Sequence, residues 1–414
     1  MHPYWLLTTD YWLLKATWTR LKAPVNLPPP IIVFVTVFID LLGFGIIIPL
    51  LPFYAETFGA TAFTVGLLAT SFSLMQFIFA PIWGRLSDRV GRRPIILLGL
   101  LGSCLSYFGF GMAGTLTALF AARIFAGIAG ANIPTAQAVV ADLTTPENRA
   151  KGMGMVGAAF GLGFIFGPAI GGFLSRYGYS VPAFFASGLS LVNFVAAWFL
   201  LPETLKPEHR AIERVGRIDA LRSALARPHL PLLLVIGFLV VAAFSAFEST
   251  FALFAERSYG FGASSIGYVF AFVGIVLVIV QGFLVGKVVK RIGEHHIVPA
   301  SLAIVAIGLL MIPATRSVAA LLVANGVMAV GMGFNNPSLM SLVSRYSSAE
   351  DQGGVLGLTQ SLNSLARIVG PLWGGFAFDH LGIGMPYITS AAVMGIAAAL
   401  SIHALWRSQM SAGA

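Results

Sequence analysis

Charged side chains are scarce in this chain: Asp, Glu, Lys and Arg together make up 10% of its 414 residues, against roughly 25% in a soluble domain. That scarcity excludes a water-bathed globule. The 57% hydrophobic content and a mean hydropathy of +0.87 place the chain in a bilayer instead. A single cysteine, Cys104, excludes an intrachain disulfide and any CxxC metal or redox motif. Lying in an apolar run, it reads as a packing residue. No GxxxxGK[ST] phosphate loop is present, so the sequence offers ATP no site. Histidines at metal-ligand spacing are also missing, since His295-His296 is a pair at the end of an apolar run. We therefore expect neither an enzyme nor a cofactor.

What the chain has in quantity is long apolar runs. A spanning helix needs about 20 mostly apolar residues, and such windows fall at 31–54, 62–82, 94–113, 115–137, 149–174, 180–201, 229–254, 264–285, 296–314, 317–340, 351–377 and 383–405. None shows the period-2 alternation of a barrel strand. Continuous apolar runs satisfy their backbone internally as helices, so the predicted class is an all-α membrane protein of twelve transmembrane helices.

The net charge of +9 would suggest a nucleic-acid partner in a soluble protein. Here its distribution argues topology and no such partner. With the amino terminus cytoplasmic, 20 of the 25 Lys and Arg fall in loops on that side, three (Arg176, Arg257, Arg316) on the other, and Arg123 and Arg367 inside spans. The bias predicts both termini in the cytoplasm of a multi-pass protein of the cell (inner) membrane. Residues 1–30 lack the order of a signal peptide, so the first span is expected to act as an uncleaved insertion signal. Trp5, Trp12 and Trp18 with Lys15 and Arg20 fit an interfacial amphipathic helix, and equally an extension without a role.

The chain repeats itself at an offset of 200 to 203. Ala55-Glu56 matches Ala255-Glu256, Gly84 matches Gly286, Asn132 and Pro134 match Asn335 and Pro337, and Gly167-Pro168 with Gly171-Gly172 match Gly370-Pro371 with Gly374-Gly375. The charged turn GRLSDRVGRRP (84–94) returns in weaker form as GKVVKRIG (286–293). The domain reading follows: an extension (1–30), a six-helix bundle (31–201), a solvated linker rich in Arg (202–228), a second bundle (229–405) and a tail (406–414). An even number of spans per half makes the repeats parallel, with a substrate cavity between them and alternating access by rocking.

These motifs carry a resemblance. GRLSDRVGRR (84–93) is similar to the loop signature of the major facilitator superfamily, and the likeness runs from about residue 31 to 405. Within it, GLGFIFGPAIGG (161–172) resembles the fifth-span motif of drug/proton antiporters. RIFAGIAGANIP (123–134) and DLLGFGIIIPLLP (40–52) resemble the fourth and first spans of twelve-helix drug exporters. Residues 129–173 are closest to the tetracycline/proton antiporters. The match lapses where that group carries acids inside the third and ninth spans: Ser106 stands at the third-span position, and 296–314 holds no carboxylate. The resemblance thus implies proton-coupled efflux of a lipophilic small molecule on a monomer, driven by the transmembrane proton gradient, and leaves the substrate open.

Candidate site residues begin with charges inside spans, each of which is unfavourable by several kcal/mol unless paired or hydrated. Asp40 lies about 13 Å and Arg123 roughly 18 Å from the cytoplasmic edge of a 30 Å core at 1.5 Å per residue. Similar depths predict that they meet, either as a proton site (Asp40) tuned by Arg123 or as a fixed ion pair joining two helices. Glu248, near the far end of its span, fits cation attraction, an outer gate or a hydrated helix end. Gln360, Asn363 and Arg367 share one helical face at spacings of three and four. The expected cavity adds Phe44, Asn132, Gln137, Phe247, Phe251, Asn335 and Asn336, a mix suited to a lipophilic compound, cations included.

In the charged turn, Gly84 allows close helix approach and Gly91 a tight bend. The resemblance further implies that Asp88 meets the amino-terminal end of the eleventh span and that Arg92 pairs with Asp142, contacts that latch the cytoplasmic side. Gly161, Gly163, Gly167, Gly171 and Gly172 with Pro168 predict a thin fifth span packed closely on a neighbour. Its antiporter role is implied by the resemblance alone. A facilitator or proton symporter of a sugar or small metabolite, and a receptor or scaffold without transport, remain alternatives on the same fold.

Overall fold

The computed structural model describes residues 29–131, 133–144, 149–205, 222, 225–227, 229–347 and 352–412. Helices fill the twelve positions: α1 (Pro29–Ile47, resumed at Leu51–Glu56), α2 (Ala62–Val90), α3 (Arg92–Gly111), α4 (Leu116–Ala129, resumed at Ile133–Leu143), α5 (Arg149–Leu174), α6 (Ser180–Leu200), α7 (Leu230–Tyr259), α8 (Ala263–Ile292), α9 (Glu294–Met311), α10 (Val318–Arg345), α11 (Gln352–His380) and α12 (Met385–Ala412). Among the described residues, nine helices are long and apolar enough to cross a membrane, and Ile31–Ile47 and Leu116–Ala129 are shorter apolar helices. The remaining element, α11, carries the polar face of Gln360, Asn363 and Arg367.

Local chemistry explains the breaks. The first apolar window is interrupted between Ile47 and Leu51, where Pro49 offers no amide to a helix and Pro52 suits the first turn of the next one. In α8 the winding loosens to a π-helical stretch at Val280–Leu284, a local bulge in an otherwise continuous helix. Thr61, Thr115 and Ser317 cap α2, α4 and α10 by accepting from the amides of Thr64, Ala118 and Ala320.

The repeat read from the sequence governs the turns as well. Among the described residues six glycines have positive φ, and they fall into three pairs at equivalent positions: Gly59 and Gly260, Gly91 and Gly293, Gly178 and Gly382. Each pair turns the chain at the same junction in its own half.

Packing follows the same symmetry. In the first half α1 packs on α5 and α6, α3 on α4 and α6, and α2 on α4; the second half repeats this as α7 on α11 and α12, α9 on α10 and α12, and α8 on α10. Two equivalent contacts join the halves, α2 with α11 and α5 with α8. One buried cluster runs through both halves, from Leu50 and Val65 to Ile266 and Phe378. A second, built on Val33, Val37, Ile96, Leu100 and Val139, belongs to the first half near its basic loops.

Candidate functional site

Asp40 is half-buried on α1, in a cleft lined by Val33, Thr36, Val37, Leu41, Ile96, Leu100, Ala136 and Leu201. Its carboxylate accepts one hydrogen bond from the Ser103 hydroxyl of α3 at 3.1 Å. One turn further along α3, Tyr107 lies within electrostatic reach of both Asp40 and Arg123, and its ring stands where a side chain at Gly43 would fall. The expected Asp40–Arg123 ion pair is not formed. Arg123 is buried with its guanidinium 4.4 Å from the centroid of the Phe72 ring, and its Nε has no hydrogen bond. Arg123 turns its guanidinium to the Phe72 ring instead. The Asp40 carboxyl is thus held by one hydroxyl in an apolar cleft, with no cation within ion-pair distance among the described residues.

On the basic face each half carries an ion pair, and the two halves place their charges with opposite polarity. Arg92, at the start of α3, donates to Asp142 at 3.3 Å, to Ser87 Oγ at 2.7 Å and to Asp88. Of the expected contacts, Arg92 with Asp142 is present, and Asp88 turns to Arg92. The residues that immediately precede α11, 348–351, lie outside the described residues. Gly91 bends the chain with φ 122°. A Cβ there would fall 2.3 Å from Glu203 Oε2, because the Glu203 carboxylate accepts from the Arg92 and Arg93 amides at 2.9 and 3.2 Å. This carboxylate at a helix amino terminus escaped the sequence reading, although an acid directly after the sixth span was its visible signal. Gly84 has open space around it rather than a close helix contact.

In the second half the buried Glu294 at the start of α9 pairs with Arg345 at 3.2 Å and accepts from Ser341 at 3.0 Å. Arg92 with Asp142 and Glu294 with Arg345 thus occupy equivalent places with their charges exchanged. We expect Arg92→Met to leave two carboxylates without their donor and to destabilise the protein by about 1–3 kcal/mol. The exposed Arg89→Ala should stay within about 0.5 kcal/mol, which thermal unfolding of the purified proteins will distinguish.

Several expected cavity residues are placed elsewhere. Phe247 and Phe251 are fully buried in the second half, where Phe247 packs on Tyr387 and Phe251 on Phe270. Their apolar bulk satisfies the α7–α12 and α7–α8 contacts rather than a ligand. Asn335 is likewise buried, donating to Ser301 of α9 at 3.2 Å; it joins two helices of one half. Asn132 lies outside the described residues. Phe44 is half-buried against Phe72 and Phe164, and Gln137 is half-buried on α4. Asn336 and Gln360 are exposed, and Asn363, Arg367 and Glu248 are half-buried. Arg367 of α11 is the charged neighbour of Glu248 on α7, without an ion pair within 4 Å.

Gly163, Gly167, Gly171 and Gly172 of α5 pack closely as expected, whereas Gly161 meets open space. A Cβ at Gly163 would stand 3.0 Å from the Leu41 backbone, at Gly167 2.6 Å from Gly45 Cα, and at Gly171 2.3 Å from the Ile46 carbonyl oxygen, so α1 and α5 touch backbone to backbone. Gly172 and Pro168 meet Gly267 of α8 across the halves, and Gly375 and Pro371 make the same contact with α2 at Ala62 and Gly66. Gly66 and Gly267 were missed in the sequence, although their offset of 201 was visible there.

On the face opposite the basic loops the halves are bonded together. Asp379 of α11 accepts from the Ala62 and Phe63 amides at the start of α2 at 3.2 and 2.8 Å. Thr70 donates to the Ile368 carbonyl at 3.0 Å, and Arg176 donates to Ser264 and Tyr268 at 3.1 and 2.8 Å.

Two six-helix bundles related by a repeat, with a titratable carboxyl in the first helix and closure on one face, define a membrane transporter rather than an enzyme. The chain belongs to the Major Facilitator Superfamily, whose sequence model matches residues 33–314 and 277–413. It is 32% identical over 383 residues to Multidrug resistance protein 2 of Bacillus subtilis (strain 168), covering 91% of this chain and 94% of that protein. It is 33% identical over 352 residues to Tetracycline resistance protein, class C of Escherichia coli, covering 83% and 87%. Among solved structures, the human organic anion transporter MFSD10 (TETRAN) superposes with a TM-score of 0.71 at 28% identity, covering 92% of this chain and 100% of that one. A bacterial homologue of the lysosomal transporter Spinster, at 16% identity and a TM-score of 0.72 over 91% of this chain and 96% of that one, shares the fold.

Proposed function

We propose that the chain exports lipophilic small molecules in exchange for protons, with Asp40 as the proton site. The observation that carries this reading is the single-hydroxyl environment of Asp40, a carboxyl without an ion pair in the helix that lies against the glycine-rich α5. Likeness to the multidrug and tetracycline resistance proteins supports export of drug-like compounds. With the basic loops cytoplasmic, the bonded face is the outer one, and we assign the substrate cavity to the side of the halves that faces the cell interior. Phe44, Gln137, Asn336, Gln360, Asn363, Arg367 and Glu248 are the groups we assign to it, and opening the outer side requires the α2–α11 and α5–α8 contacts to part.

A second reading, that the cargo is an organic anion, is favoured by Arg367, which meets Glu248 without a close ion pair. It is supported by likeness to a transporter of that class. Energised inverted vesicles with a pH-sensitive dye test both. Adding lipophilic cations, neutral compounds or organic anions one at a time should produce proton release with one class. Silence across the whole panel would reject proton-coupled export and return weight to the facilitator and receptor alternatives.

A further inference from the structure

We propose that Glu56 and Glu256 are a one-proton clasp on the outer face: the halves close over them while the two carboxyls share a proton, and part once it is lost to the outer solution. The repeat puts them there. Glu56 ends the first helix of one half and Glu256 lies near the end of the first helix of the other, so the axis relating the halves sets a carboxyl opposite its own copy, within hydrogen-bonding reach. Two carboxylates cannot hydrogen-bond each other without a proton between them.

The surroundings leave that proton in demand. From α7, Arg257 reaches Glu56 Oε1 only at 4.0 Å, and its guanidinium, 44% exposed, lies over the Phe378 ring at 4.7 Å. From the start of α6, Tyr179 lies within electrostatic reach of both acids. From α11, Asp379 is committed to the amides of α2. One peripheral cation thus stands beside the pair of acids. Burial first, then the hydrogen bond and charge of Glu256, push the Glu56 carboxyl from 4.5 up to about 7, with Arg257 opposing. When the halves part, the Glu56 carboxyl meets water and returns towards its ordinary value. The closed state therefore binds the extra proton. Its contribution to closure is complete below about pH 4.5 and is lost as the pH rises through about 7.

The consequence differs from the role given to Asp40. An outward-open transporter that meets an acidic exterior takes up one proton at the clasp and closes, and opening returns one proton to the same side, so the clasp moves no net charge through the membrane. It sets the outer pH at which the return step is favoured.

Nitroxides on Thr117→Cys and Ala319→Cys, exposed and equivalent positions at the outer ends of α4 and α10, read the outer separation in nanodiscs in a Cys104→Ser background. We expect the closed-to-open ratio to fall about tenfold per pH unit between about pH 4.5 and 7 and to level off above 7. Glu56→Gln, whose amide donates to the Glu256 carboxylate without titrating, should make the ratio independent of pH. Asp40→Asn should leave the response in place, and this separates the clasp from the proposed coupling site. A flat wild-type ratio, a response surviving in both Glu56→Gln and Glu256→Gln, or one abolished by Asp40→Asn overturns the proposal.

Discussion

Leucine at Gly171 lowers the thermal unfolding midpoint by about 6–12 °C, the shift expected when overpacking of ~3 kcal/mol acts on a bundle of this size. The reason is what the new side chain meets. Its Cβ would lie 2.3 Å from the Ile46 carbonyl oxygen, a backbone atom of a neighbouring helix that cannot rotate away. In a bilayer, lipid solvates apolar surfaces as well as protein does, so helices associate through close backbone contact and small residues. Removing that contact removes much of what holds α1 to α5. Gly161→Leu on the same helix meets open space and should leave the midpoint within about 0.5 kcal/mol of wild type. Gly375→Leu behaves differently: its clash, 2.5 Å from the Ala62 carbonyl oxygen, lies between the halves, which can separate. There we expect an intact fold shifted away from closure of the outer face. Equal destabilisation by Gly161→Leu and Gly171→Leu would refute the packing argument.

The second large effect is functional. Asp40→Asn abolishes compound-induced proton movement while leaving the protein as stable as wild type or more so. Asn preserves the size of the side chain, and its carbonyl oxygen still accepts from Ser103. What disappears is a carboxylate in an apolar cleft with no ion pair to offset its burial. Had Asp40 been locked to Arg123, removing it would have left a buried guanidinium unpaired, with a loss of about 3–5 kcal/mol. Thermal unfolding and the vesicle assay, made on the same preparations, therefore separate a proton site from a structural ion pair. Ser103→Ala tests positioning: transport should persist with its pH profile displaced, because the carboxyl remains but its single donor is gone.

Much of this was legible in the sequence because the information was local or repeated. Apolar length marked the helices, and the offset of 200 to 203 gave two equivalent halves. The Arg92–Asp142 pair followed from the resemblance, and the thin α5 from its glycines. The sequence was silent where a contact depends on what lies between two residues. Equal depth suggested that Asp40 and Arg123 meet, but depth says nothing of direction around a helix, and Arg123 turns to the Phe72 ring. Phe247, Phe251 and Asn335 showed the same ambiguity: an aromatic or amide inside a span serves a cavity or a helix contact equally well, and the facing helix decides. Asp379 capping α2 joins residues 317 and 316 positions apart, beyond any local pattern. The charge exchange between Arg92–Asp142 and Glu294–Arg345 was hidden because the repeat comparison matched identical residues, whereas symmetry here preserved the pair and inverted its sign.

The central claim is that movement of a small molecule is tied to a proton carried by Asp40. Purified protein reconstituted in liposomes, with a pH gradient imposed in either direction and a compound active in vesicles followed by its fluorescence, tests it most directly. We predict accumulation only when the compartment receiving the compound is the more acidic, loss of accumulation when the gradient is collapsed, and mere equilibration with Asp40→Asn. Accumulation indifferent to the gradient, or unchanged in Asp40→Asn, would contradict the account.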